Sequence, residues 1–274
     1  YVPEMVGWTE ETRKDYQAVS DGRMLPKQTE DAKFGHRLQA LKVLYGSKKP
    51  ILFVDIPRKD REFFDKLEES DIKRDAFEEA FVRGKFSQSL GWAWAYVEEE
   101  AAEQLKRENK IKKNLDEQIK QLLEKNPEYS SKKELKVLIK LGEVHTTLGH
   151  QLRSEGRSVS RNFKSSPAVY NSLNEAVRRK LFDKKINDEL IARGILEYFL
   201  GPLLFSTTKD TNKAFRVARK LSSRLSLKDI ESISVSWGRG GWRHMADELE
   251  TRGIKVPKTE EEMDKMLGLN KNEK

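Results

Sequence analysis

The chain has 274 residues, 36% hydrophobic and 36% charged, with 53 Lys and Arg against 45 Asp and Glu, a formal net charge of +8 and no Cys. The length allows one large or two ordinary domains, and a charged fraction well above the roughly 25% of ordinary soluble domains gives far more solvated face than core. Disulfide frameworks, thiolate zinc sites, iron–sulfur clusters and cysteine nucleophiles are excluded, and the longest apolar runs, 51–56 and 195–204, fall short of the roughly 20 residues of a bilayer span.

Residues 1–59 read as an extended arm with one helix. Pro3, Pro26 and Pro50 interrupt the segment, while Phe34, Leu38, Leu41, Val43 and Leu44 cluster at helical spacing over about 29–45. Pro50 and Pro57 bracket Ile51-Leu52-Phe53-Val54-Asp55-Ile56, which has the β-branched and aromatic density of a buried strand. With no partner strand nearby, it is expected as an extended segment laid against helices.

Residues 60–152 read as a long-helix region. Phe63, Phe64, Leu67, Ile72, Phe77, Ala80 and Phe81 recur at helical spacing up to Gly84. From Trp92 to Lys125 there is no Pro or Gly, and Val97, Ala101, Leu105, Ile111, Leu115, Ile119 and Leu122 form a narrow stripe among Glu and Lys. Such a helix reaches about 50 Å. The stripe predicts a seam for a partner helix on a long protruding helix or helical hairpin. Asn126-Pro127 breaks the pattern, and Ser131 with Glu134 has capping-box spacing for another helix, whose core face would be Leu135, Leu138, Ile139, Val144, Leu148 and Leu152.

Residues 153–274 read as a basic helical region with a C-terminal tail. A Ser-, Arg- and Gly-rich loop over 153–166 leads to a helix or helix pair from about Ser172 to Leu200, hinged near Arg193-Gly194 and closed by Gly201-Pro202. A basic helix follows over about 212–225, then Trp237-Gly-Arg-Gly-Gly-Trp242, read as a loop whose anchors are Trp237 and Trp242. Further helices span about 243–252 and the segment opened by Thr259 to Glu262.

No catalytic constellation is legible. The four His, at 36, 145, 150 and 244, lack the i, i+4 spacing of a shared metal. Gly238-Arg-Gly-Gly241 lacks the ending of a phosphate-binding loop, and the carboxylates alternate with Lys and Arg as on solvated helix faces. Neither a cofactor nor a metal is expected, and a structural or binding role is favoured over an enzyme.

Charge placement is more informative than the total. Residues 151–224 hold sixteen Lys or Arg against seven Asp or Glu, so the remainder of the chain sums to about minus one. Arg153, Arg157 and Arg161, then Arg178, Arg179 and Lys180, then Arg216, Arg219, Lys220 and Arg224 form the candidate basic surface, suited to phosphates or an acidic protein. Its aromatic platform is thin, with Phe163 and Tyr170 the only rings among the early charges.

Ser226-Leu-Lys-Asp-Ile-Glu231, Trp237-Gly-Arg-Gly-Gly241 and Gly253-Ile-Lys-Val-Pro257 resemble the C-terminal segment of some orthobunyavirus nucleoproteins, which coat viral RNA. The resemblance covers only 226–257, the family's FPGNRNN stretch and aromatic-rich central run are absent, and no residue role is carried over.

The sequence therefore predicts an all-α, non-enzymatic structural subunit of a large mitochondrial assembly. Its long charged helix is similar in character to peripheral-stalk subunits of ATP synthase. The alternative is an RNA-binding ribonucleoprotein component, either a mitochondrial ribosomal or a nucleocapsid protein. The expected partners are other protein subunits or RNA, with no membrane-spanning segment. The expected setting is the mitochondrial matrix side, with the cytoplasm as alternative.

Overall fold

The computed structural model describes residues 1–3, 5–141, 145–160 and 171–269, and over these the chain is all-α, with no strand. In chain order the helices are α1 (Glu10–Ser20), α2 (Gly35–Leu44), α3 (Arg61–Val82), α4 (Phe86–Lys125), α5 (Pro127–Ser130), α6 (Thr146–Ser154), α7 (Ser172–Leu181), α8 (Asp188–Thr208), α9 (Thr211–Ser222), α10 (Leu227–Thr251) and α11 (Glu260–Leu267). The chain divides into two compact units, Tyr1–Asp65 with Gln104–Val159, and Lys66–Glu103 with Ser160–Lys274.

In the first unit, the expected arm is core. Helix α1, missed by the sequence reading, starts at Thr9, whose hydroxyl accepts from the Thr12 N–H at 3.2 Å, with Glu10 and Glu11 on the positive end of the helix dipole. It buries Tyr16 and Val19 against Met5, Leu41, Leu44, Ile51 and Phe53. All of 51–56 is buried and lies outside any helix or strand, with a bend at Asp55. Burial obliges its backbone groups to find partners. Leu52 N–H donates to Tyr1 O at 2.8 Å, Ile56 O accepts from Gly7 N–H at 2.8 Å, and Asn114 and Gln118 of α4 donate their side-chain amides to Val54 O and Phe53 O at 2.8 and 2.6 Å.

The helix expected after Ser131 is corrected over most of its length. Residues 132–141 are non-helical, and α6 begins only at Thr146; Val144 lies outside the described residues. Exposure alternates along Leu135, Lys136, Val137, Leu138, Ile139, Lys140 and Leu141, the two-residue period of an extended chain. Val2 donates to Leu138 O and accepts from Lys140 N–H, both at 2.9 Å, which fixes that register. Leu138, assigned to the core face, is 68% exposed.

In the second unit, α8 is the axis, packed on α7, α9 and α10. Ile191, Ile195, Leu196, Leu200 and Leu204 are buried with Phe77, Phe81, Val97, Leu173, Val217 and Leu221. The expected hinge at Gly194 and stop at Gly201-Pro202 do not occur; the helix continues to a left-handed cap at Lys209, φ +58°. Both glycines serve close packing instead. A Cβ on Gly194 would stand 2.6 Å from Leu173 N, and one on Gly201 would press into the Phe215 ring. By length and composition α8 could cross a membrane, but half of it is buried inside this unit and it carries the fully buried Glu197.

The segment 237–242, expected as a loop, lies within α10. The helix opens on a capping box in which Asp229 N–H donates to Ser226 Oγ and Ser226 N–H donates to Asp229 Oδ2. It breaks only at Gly240 and Gly241, the latter at φ +63°, ψ −149°, a conformation open to Gly alone. Gly238 lies against the backbone of the α3–α4 turn, where a Cβ would meet Arg83 C and Gly84 N at 2.8 Å.

Candidate functional site

The stripe expected to await a partner helix is covered by the chain itself. Val97 and Ala101 lie in the core of the second unit, Ile111 and Leu115 in that of the first, where Ile119 packs half-buried; Leu122 is half-buried. Only Leu105 stands out, 40% exposed. The stripe is continuous along α4, but residues up to 103 serve one core and those from 104 the other.

The basic surface is largely neutralised from within. Arg178 and Arg179 share Glu175 at 2.9 and 3.0 Å, Lys180 pairs with Glu98 at 3.1 Å, and Arg157 pairs with Asp116 at 2.6 Å. Lys220 donates to Met266 O at 2.6 Å, and Arg219 interacts with the buried Glu197. Arg161, Phe163 and Tyr170 lie outside the described residues. Arg153, Arg216, Lys220 and Arg224 remain without a carboxylate among the described residues. Trp237 is an anchor in its own core, 5.2 Å from the Phe199 ring and 6.4 Å from Phe81, whereas Trp242 is 37% exposed.

Asp55, Glu108 and Glu197 are carboxylates almost wholly withdrawn from solvent, and none belongs to the candidate site residues of the sequence. Asp55, 1% exposed, accepts a two-pronged contact from Arg107, and its carboxylate also accepts from Met5 and Ile56 N–H at 3.2 and 2.8 Å. Glu108, fully buried, accepts from the Gln104 amide at 2.8 Å and from the Thr147 hydroxyl and Leu148 N–H at the start of α6; His145 Nδ1 is 3.6 Å away. Burial alone would raise this carboxyl, but the His145 ring, the Thr147 hydroxyl and the Gln104 amide outweigh it and hold it below its ordinary value.

Glu197 accepts from Ser172 N–H and Oγ at 2.6 and 2.7 Å and from Ser222 Oγ at 2.6 Å, joining α7, α8 and α9. Here burial prevails and pushes the carboxyl up, against Ser222, Ser172 and Arg219. In both units, then, a buried Glu on a long helix holds the N-terminus of a shorter one, where free amides and the helix dipole favour negative charge.

These groups are consumed by cross-linking elements rather than aimed into a cleft. In the first unit an open groove of about 460 Å³ lies over Ile119 and Leu123, edged by Asp116 and Arg157, which pair with each other. Among the described residues no three His, Asp or Glu are grouped to hold a metal. No family model matches the chain, and neither a curated protein nor a solved structure does.

Proposed function

We propose that this chain is a non-enzymatic component of a ribonucleoprotein assembly, binding RNA through exposed cations of its helical units. The observation that carries this reading over a stalk-type subunit is the burial of Val97, Ala101, Ile111 and Leu115 in the chain's own cores. A stalk helix needs that seam free for a partner helix. Cations without a carboxylate among the described residues, the exposed Arg153 and Arg224 with the half-buried Arg216, instead suit a polyanion.

Titrating labelled single-stranded RNA with the full chain at several salt concentrations tests the reading. Binding should fall linearly in log–log form, by roughly 0.7 per phosphate contacted. Affinity that is undetectable at moderate salt, or indifferent to salt, rejects it.

A further inference from the structure

We propose, resting on the ribonucleoprotein reading, that the break in α10 forms a contact for single-stranded RNA in which Trp242 stacks on a base and Arg239, Arg243 and Lys85 hold the flanking phosphates. The tertiary structure assembles these residues from two places in the chain. Gly238 is seated on the Arg83–Gly84 backbone, which brings Lys85 beside the end of the first half of α10, where Arg239 is exposed. Beyond the break at Gly240 and Gly241, Trp242, Arg243 and His244 are exposed in succession. Ser234 Oγ donates to Phe81 O at 3.0 Å and Trp237 packs on Phe199 and Phe81, so the half carrying Arg239 is held rigidly.

Two features point to the occupant. Arg239, Arg243 and Lys85 have no carboxylate partner among the described residues, unlike Arg157, Arg178, Arg179 and Lys180, so this patch keeps its charge for an outside polyanion. An indole 37% exposed, next to Arg243 and three residues after Arg239 in the chain, offers a flat face for a base. Stacking needs an unpaired base, because a duplex hides the faces of its bases. At the break itself, nothing lies within 4 Å of a Cβ added to Gly241, so a strand can approach the backbone closely there, beside the His244 ring that covers Gly240.

The test uses the full chain and a fluorescent single-stranded RNA of about a dozen nucleotides, followed by polarisation across a salt series. Trp242→Ala should weaken binding roughly five- to a hundred-fold, with Trp242→Phe retaining most of it. The pair Arg239→Gln and Arg243→Gln should lower the log–log salt slope by about 1.4. Circular dichroism matching wild type qualifies each variant, and the Arg pair, wholly on the surface, serves if Trp242→Ala unfolds. If wild type binds RNA and these variants bind equally well while Arg216→Gln with Arg224→Gln does not, the site is overturned and the ribonucleoprotein reading stands. If wild type binds no RNA, both fall. Equal affinity for poly-glutamate, unaffected by loss of the ring, marks an acidic protein partner and also overturns the site.

Discussion

Arg107 meets Asp55 through two parallel contacts, Nε to Oδ1 at 2.9 Å and Nη2 to Oδ2 at 2.7 Å, with the Asp carboxylate withdrawn from solvent. The pair ties α4 to the buried 51–56 segment, which belongs to no strand among the described residues. Removing one member leaves a buried charge, which costs about 3–5 kcal/mol. Arg107→Met should therefore destabilise the first unit by that order in urea unfolding. Arg107→Lys should restore little, since an ammonium cannot reproduce the planar fork. Full rescue by Lys would show that the geometry does not matter.

The two buried glutamates should respond to acid in opposite senses. Glu108 is held below its ordinary value when folded, so its stabilisation is present above the unfolded value and is lost as pH falls through the folded one. Glu197 is raised by burial, so its contribution is present below the ordinary carboxylate value and is lost as pH rises through the raised one. Thermal melts across roughly pH 4 to 8 should show Glu108→Gln costing about 2–3 kcal/mol at neutral pH and flattening the acid limb. Glu197→Gln should be close to neutral there. A reversed order of the two variants contradicts this assignment.

Glycine substitutions separate packing from propensity. Gly91 lies in the interior of α4, exposed, with nothing within 4 Å of an added Cβ, so Gly91→Ala should stabilise by about 0.5–1 kcal/mol. Gly238→Ala must push backbone from backbone and should destabilise by about 1–3 kcal/mol, the usual range for overpacking. Equal effects in chemical denaturation would mean that α10 does not approach the α3–α4 turn as described.

Leucines on the α4 stripe should also divide. Leu115 is 2% exposed and Leu105 40%, so Leu115→Lys should unfold the first unit while Leu105→Lys leaves a folded chain with unchanged circular dichroism. Tolerance of both substitutions would return the stripe to the surface.

Local chemistry made several elements readable without coordinates. The basic helix expected over 212–225 is α9, with Asp210 accepting from Lys213 N–H at 3.1 Å, and the helix opened by Thr259 is α11, capped by that hydroxyl. Thr9 before Glu10 and Glu11 carries the same signal for α1. The segment 135–141 was misread because its apolar residues fit either a helical or a two-residue period. The register came from Val2, more than 130 positions away in the chain.

By itself, then, the sequence determined the all-α class, the capped helix starts and the excess of solvated charge, since these depend on residues within a turn or two of each other. The tertiary structure alone decided which core each half of the α4 stripe enters, which cations, such as Arg157 and Lys180, meet a carboxylate from far along the chain, and that Gly194, Gly201 and Gly238 are packing residues rather than hinges. These depend on what stands opposite a residue in space, and nothing within a helical turn of Leu115, Lys180 or Gly238 specifies its neighbour from a distant part of the chain.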